Sequence, residues 1–64
     1  METIYANGKN GRYVAVEIVG NVATMERNRG VTTKQAEAAL NQHDPRGWHV
    51  YYTDSDYHFF RPSA

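Results

Sequence analysis

The chain has no cysteine among its 64 residues. Disulfides, thiol nucleophiles and cysteine-based zinc sites are therefore excluded. It also has no excess of either charge, since 7 Lys/Arg balance 7 Asp/Glu. A neutral chain lacks the broad positive field of a general phosphate-backbone binder, and equally the acidic surface of a DNA mimic. No apolar run approaches the ~20 residues that cross a bilayer. Met1–Tyr5 has no basic stretch leading into an apolar one, so neither a signal peptide nor a membrane partner is expected. Cytoplasmic residence is the default expectation.

Length is a further shortage. A single domain this small buries only about 60% of its unfolded surface. Such chains often gain stability from a metal or a partner subunit. Residues 1–64 are expected to form one small α+β domain.

The pattern along the chain gives β-β-β-α-β-β. Thr3–Ala6 is a short strand candidate, followed by the turn-rich Asn7–Gly11. Arg12–Val19 is β-branched and reads as a strand. Gly20-Asn21 is a two-residue hairpin turn, because both residue types tolerate positive φ. Val22–Arg27 returns. This loop pairs Val19 with Val22, Ile18 with Ala23, Val16 with Met25 and Val14 with Arg27. Val14, Val16, Ile18, Ala23 and Met25 then share an apolar face. Tyr13, Ala15, Glu17, Thr24 and Glu26 share the opposite one. The clean division supports the register, since a one-residue slip would scramble it.

A helix follows. Thr32 with Gln35 fits a capping box, and Val31 with Ala36 fits the accompanying hydrophobic staple. Ala36, Ala39, Leu40 and His43 recur at helical spacing, a narrow stripe that can lie on a sheet. Pro45 disfavours helix at Asp44, so the helix stops near His43. One helix packed on one face of a four- or five-stranded antiparallel sheet is the natural two-layer solution.

Six of the eight aromatic residues lie between Trp48 and Phe60. They suggest an aromatic hairpin, Trp48–Thr53 and Tyr57–Arg61, turning at Asp54–Asp56. A two- or four-residue loop pairs Tyr52 with Tyr57, Val50 with Phe59 and Trp48 with Arg61. Trp48, Val50, Tyr52, Tyr57 and Phe59 are then expected to face the core. His49, Tyr51, His58 and Phe60 are expected on the outer face. A three-residue loop would redistribute them.

The run Leu40-Asn41 … Gly47-Trp48 … Phe60-Arg61-Pro62 resembles a family of short uncharacterised bacterial and phage domains. Their helix ends in Leu-Asn, Gly-Trp opens an apolar strand, and a closing strand ends in an aromatic, a basic residue and Pro. Many members carry an acidic residue after the Trp, where this chain has His49. The resemblance covers about the last 25 residues and implies the helix-then-hairpin arrangement. It assigns no activity.

Chemistry-bearing constellations are sparse. His43, His49 and His58 with Asp44, Asp54 and Asp56 supply metal-ligating types, but no spacing matches a ligand motif such as His-Glu-x-x-His. His43 suits a helix C-terminus, where a cation complements the dipole. Ser55 and Ser63 lie in a turn and a tail, without a Gly-x-Ser-x-Gly elbow. The segment Asn7-Gly8-Lys9-Asn10-Gly11 has no Walker spacing and leads into a strand. Asp54-Ser55-Asp56 lacks the rest of a calcium loop. No catalytic residue, cofactor or metal is expected.

The expectation is a non-enzymatic protein-binding module that meets a protein partner or a second copy through His49, Tyr51, His58 and Phe60. A phage- or mobile-element-type accessory protein would fit that description. The alternative is a single-stranded nucleic-acid binder stacking bases on the aromatic face, with Arg12, Arg27, Arg29, Lys34 and Arg61 available to phosphates. Glu17 and Glu26 on neighbouring strands weigh against it.

Overall fold

The chain folds as β1 (Glu2–Asn7), a 3-10 turn (Lys9–Gly11), β2 (Tyr13–Val19), β3 (Val22–Glu26), α1 (Thr33–His43), β4 (His49–Thr53) and β5 (Tyr57–Arg61). The computed structural model describes all 64 residues. The five strands form one antiparallel sheet in the order β1-β2-β3-β5-β4, with α1 on one face. This is the α+β arrangement expected from the residue pattern.

The first hairpin has the expected register. Val19 pairs with Val22, Ile18 with Ala23 and Val16 with Met25. Gly20 makes the turn at a φ of 62°, in the left-handed region. β3 ends one residue early, at Glu26, so Arg27 does not pair with Val14. Its N–H donates instead to the Asp56 carbonyl at 2.9 Å, and its Nη1 donates to the Asp54 carbonyl at 2.8 Å. Arg27 thus ties β3 to the tip of the β4–β5 hairpin.

α1 begins with the full capping box. Gln35 N–H donates to Thr32 Oγ1 at 3.1 Å, and Thr32 N–H donates to Gln35 Oε1 at 2.9 Å. Two of the orphan donors at the helix start are thereby satisfied. Val31, Ala36 and Leu40 are buried with Ala6, Val16, Ile18, Ala23, Met25, Trp48 and Phe60 in one core. The helix lies closest to β1 and also meets β4 at the opposite edge. His43 Nε2 lies 3.1 Å from Glu2 Oε2, fixing the helix end to the start of β1.

The last hairpin departs from expectation. Its tip pairs Thr53 with His58 and Tyr52 with Phe59, while its base pairs Val50 with Phe60 and His49 with Arg61. Tyr51 is an extra residue, a β-bulge. The bulge inverts the alternation of β4 at Tyr51. Trp48 and Val50 belong to the helix side, as expected, but Tyr52 does not. On β5 the assignment of faces is reversed: Phe60 is fully buried, and Tyr57 and Phe59 point away from the helix. Phe60 stands opposite Ala23, and Ala23 faces the core.

Candidate interface on the open sheet face

The bulge determines which aromatics are available. Thr24 and Glu26 of β3 point away from the helix, and they pair with Phe59 and Tyr57. Thr3, Glu17, Thr24, Phe59 and Tyr52 therefore form one row across all five strands. Tyr5 lies opposite Ala15 and Tyr13 opposite Asn7, on the same face. Ala15, Glu17, Thr24 and Glu26 occupy the central strands between two aromatic sides. Tyr5 and Tyr13 flank it at β1–β2, and Tyr52, Tyr57 and Phe59 flank it at β5–β4. Tyr5 and Tyr13 are about two-thirds exposed, at 63% and 67%.

Phe59 holds the second side together. Its ring centroid lies 5.6 Å from that of Tyr52 and 6.4 Å from that of Tyr57, both tilted. Such pairs contribute about 0.5–1.5 kcal/mol beyond their burial and hold the rings in place. The Arg61 guanidinium lies 4.6 Å from the centroid of the bulged Tyr51 ring, a cation–π contact at the rim. The carboxylates of the face are also engaged: Thr3 Oγ1 donates to Glu17 at 2.9 Å, and Arg29 meets Glu26 at 3.4 Å.

The four residues expected to share one outer patch are divided between the two sides of the sheet. His49 and Tyr51 lie with the open face, Tyr51 being 41% exposed. His58 and Phe60 lie on the helix side, opposite Met25 and Ala23. The expected grouping of His49, Tyr51, His58 and Phe60 is thus corrected by the Tyr51 bulge. Unbroken alternation from Trp48 puts Tyr52, Tyr57 and Phe59 in the core, and the short first strand carries no pattern that assigns Tyr5 a face. Tyr13 lies opposite the apolar face of the first hairpin, as the alternation of β2 implies.

The three histidines have separate surroundings. His43 meets Glu2. His49 Nδ1 is 3.1 Å from the Gly47 carbonyl and 3.2 Å from Ser63 Oγ. Ser63 in turn donates its hydroxyl to that carbonyl at 3.0 Å and its N–H to the Arg46 carbonyl at 3.0 Å. The Ser63–His49 contact is therefore part of a clasp that binds the C-terminus to the Gly47 turn. His58 Nδ1 lies 2.9 Å from Thr53 Oγ1. Partial burial pushes the His58 imidazole below its usual pKa, and the nearby Arg27 charge adds to the effect.

Asp54 organises the hairpin tip. Its Oδ1 accepts the N–H groups of Tyr57 and Asp56 at 2.7 and 2.8 Å. Those two bonds, with a smaller contribution from Arg27, hold its carboxyl below the usual carboxylate range. They make a local Asx-type turn that positions Tyr57 on the open face. No helix of the protein is long and apolar enough to cross a membrane. The chain matches no protein-family model, no curated protein and no solved structure.

Proposed function

We propose that the protein is a non-enzymatic protein-binding module that recognises its partner through the open sheet face. The observation that carries this reading is the Tyr52–Phe59–Tyr57 cluster, held rigid on the side of the sheet that no helix covers. Rigid aromatics with an adjacent Arg are the usual anchors of protein interfaces, because they bury much area for little lost side-chain entropy. A phage- or mobile-element-type accessory protein that modulates a host protein, or a homodimer, would fit such a module.

The same tyrosines suit base stacking, the basis of a single-stranded nucleic-acid reading. Charge argues against it. Arg61 is engaged with Tyr51, and Glu17 and Glu26 stand on the same face. Phosphates approaching the aromatics would meet these carboxylates.

The test compares wild type with a Tyr52→Ser/Phe59→Ser double variant as bait in host extract, read by mass spectrometry. The expected result is a specific protein held by wild type at both 0.1 and 0.5 M salt and lost by the variant, which remains folded. An identical set of captured proteins from both baits would overturn the reading. So would binding of a single-stranded oligonucleotide that weakens steeply with salt.

A further inference from the structure

The two edges of the sheet are treated differently. At β4, helix side chains occupy the edge. Val50 N–H donates to Glu37 Oε2 at 2.9 Å, Trp48 N–H donates to Asn41 Oδ1, and Asn41 Nδ2 donates to the Trp48 carbonyl at 3.0 Å. Three backbone groups that would invite another strand are already satisfied. The bulge at Tyr51 further disrupts that edge.

β1 has no such protection. Gly8 N–H donates to the Arg12 carbonyl at 2.8 Å, in line with the β1–β2 ladder. The alternation of an antiparallel pair then directs the backbone groups of Glu2, Ile4 and Ala6 toward β2. Those of Thr3, Tyr5 and Asn7 point outward. No side chain or loop bonds to them. The strand has no proline and no bulge, and its single charged residue, Glu2, is at one end.

We propose that β1 pairs antiparallel with β1 of a second copy, giving a continuous ten-stranded sheet. The edge is self-complementary about Tyr5. Tyr5 falls opposite Tyr5 of the second copy and Thr3 opposite Asn7, so all three outward N–H groups and all three carbonyls find partners. Glu2 falls opposite Gly8 with Lys9 next in line, so each end brings opposite charges together. Beside this edge α1 presents Gln35, Ala38, Ala39 and Gln42, which with Tyr5 and Asn7 line a shallow hollow. That stripe carries no charge, and Ala38 at its middle lets the two helices approach. Because the β4 edge is blocked, pairing closes at two copies and cannot continue into a filament. Both open faces end on the same side of the long sheet, which doubles the surface proposed above without depending on it.

The test is sedimentation equilibrium of the full chain across micromolar concentrations, with wild type and Tyr5→Pro. Proline at position 5 removes an outward N–H and leaves the β1–β2 ladder intact, as edge strands tolerate. Wild type is expected to approach twice 7.3 kDa, and Tyr5→Pro to stay at the monomer mass with a cooperative melt. Hydrogen exchange on wild type gives a reading independent of the variant's folding. The Thr3, Tyr5 and Asn7 amides should become protected as concentration rises, while Ile4 and Ala6 remain protected throughout. A wild type that stays monomeric, a Tyr5→Pro protein that keeps the doubled mass, or exchange at Thr3, Tyr5 and Asn7 that ignores concentration would overturn the proposal. A dimer that persists in the Tyr52→Ser/Phe59→Ser variant separates this inference from the recognition reading.

Discussion

The side chain of Asn41 pairs with the backbone of Trp48 as a neighbouring strand would. Trp48 N–H donates to Asn41 Oδ1 at 2.6 Å, and Asn41 Nδ2 donates back to the Trp48 carbonyl at 3.0 Å. The helix thereby grips the entry to β4. Gly47 allows the chain to turn into that grip at a φ of 74°, and the Trp48 ring enters the core with 2% exposure. The Trp48 indole N–H reaches Asp44 Oδ2 at 3.4 Å, and Arg46 lies over the ring. The Leu-Asn and Gly-Trp steps of the C-terminal pattern therefore have structural duties.

Replacing Asn41 with Leu keeps the volume and removes both bonds. Two backbone groups of the buried Trp48 lose their partner, a loss of about 1–3 kcal/mol. Urea unfolding should show a lower midpoint with an unchanged slope, because the surface exposed on unfolding stays the same.

Phe59 and Phe60 should respond very unequally to the same substitution. Phe60→Ala opens a cavity in the core and should cost about 3–5 kcal/mol, much of a small domain's stability. Phe59→Ala removes a part-exposed ring from the open face and should cost a fraction of that. Thermal melts of the two variants measure the face assignment directly. Equal losses would contradict it.

These two residues also mark what was legible in the amino-acid pattern. The Gly20-Asn21 register, the capping box at Thr32 and the burial of Trp48 each rest on a local rule that the fold leaves undisturbed. The face of the last hairpin rests on unbroken period-2 alternation from Trp48 onward. One extra residue, Tyr51, breaks that alternation, so a correct anchor at Trp48 carried the wrong side to Tyr52, Tyr57 and Phe59. Neighbouring residues give no signal for the bulge. It follows from Val50 reaching across to Phe60 while Asp54 holds the tip two residues away from the simple hairpin register. The open face combines both ends of the chain, and no local window contains it.

Acid should weaken the fold in two stages. His58 has a folded pKa below its unfolded value near 6.5. The unfolded chain therefore binds the proton more readily, and stability falls as pH drops below about 6.5 until the folded pKa is passed. His58→Gln should flatten that part of the stability profile. Asp54 has a folded pKa below 3.8. Its contribution is complete above that value and disappears as pH falls through the folded pKa. Chemical denaturation at stepped pH, with and without each substitution, checks both signs.

Asp54→Ala removes the acceptor for the Asp56 and Tyr57 amides and loosens the tip that positions Tyr57. The melting temperature should fall, and the Asp56 and Tyr57 amides should exchange faster. Met25 and Val16, buried beneath the sheet, should keep their protection. Asp54→Asn retains the acceptor oxygen and should recover most of the turn.

The recognition surface is tested most directly by placing a photoreactive phenylalanine analogue at Tyr57, and separately at exposed Lys34 on the helix, in the host cell. Irradiation should join the Tyr57 probe to one protein partner and leave that partner unlinked from the Lys34 probe. Linkage from Lys34 with none from Tyr57, or adducts of Tyr57 to nucleic acid, would contradict it.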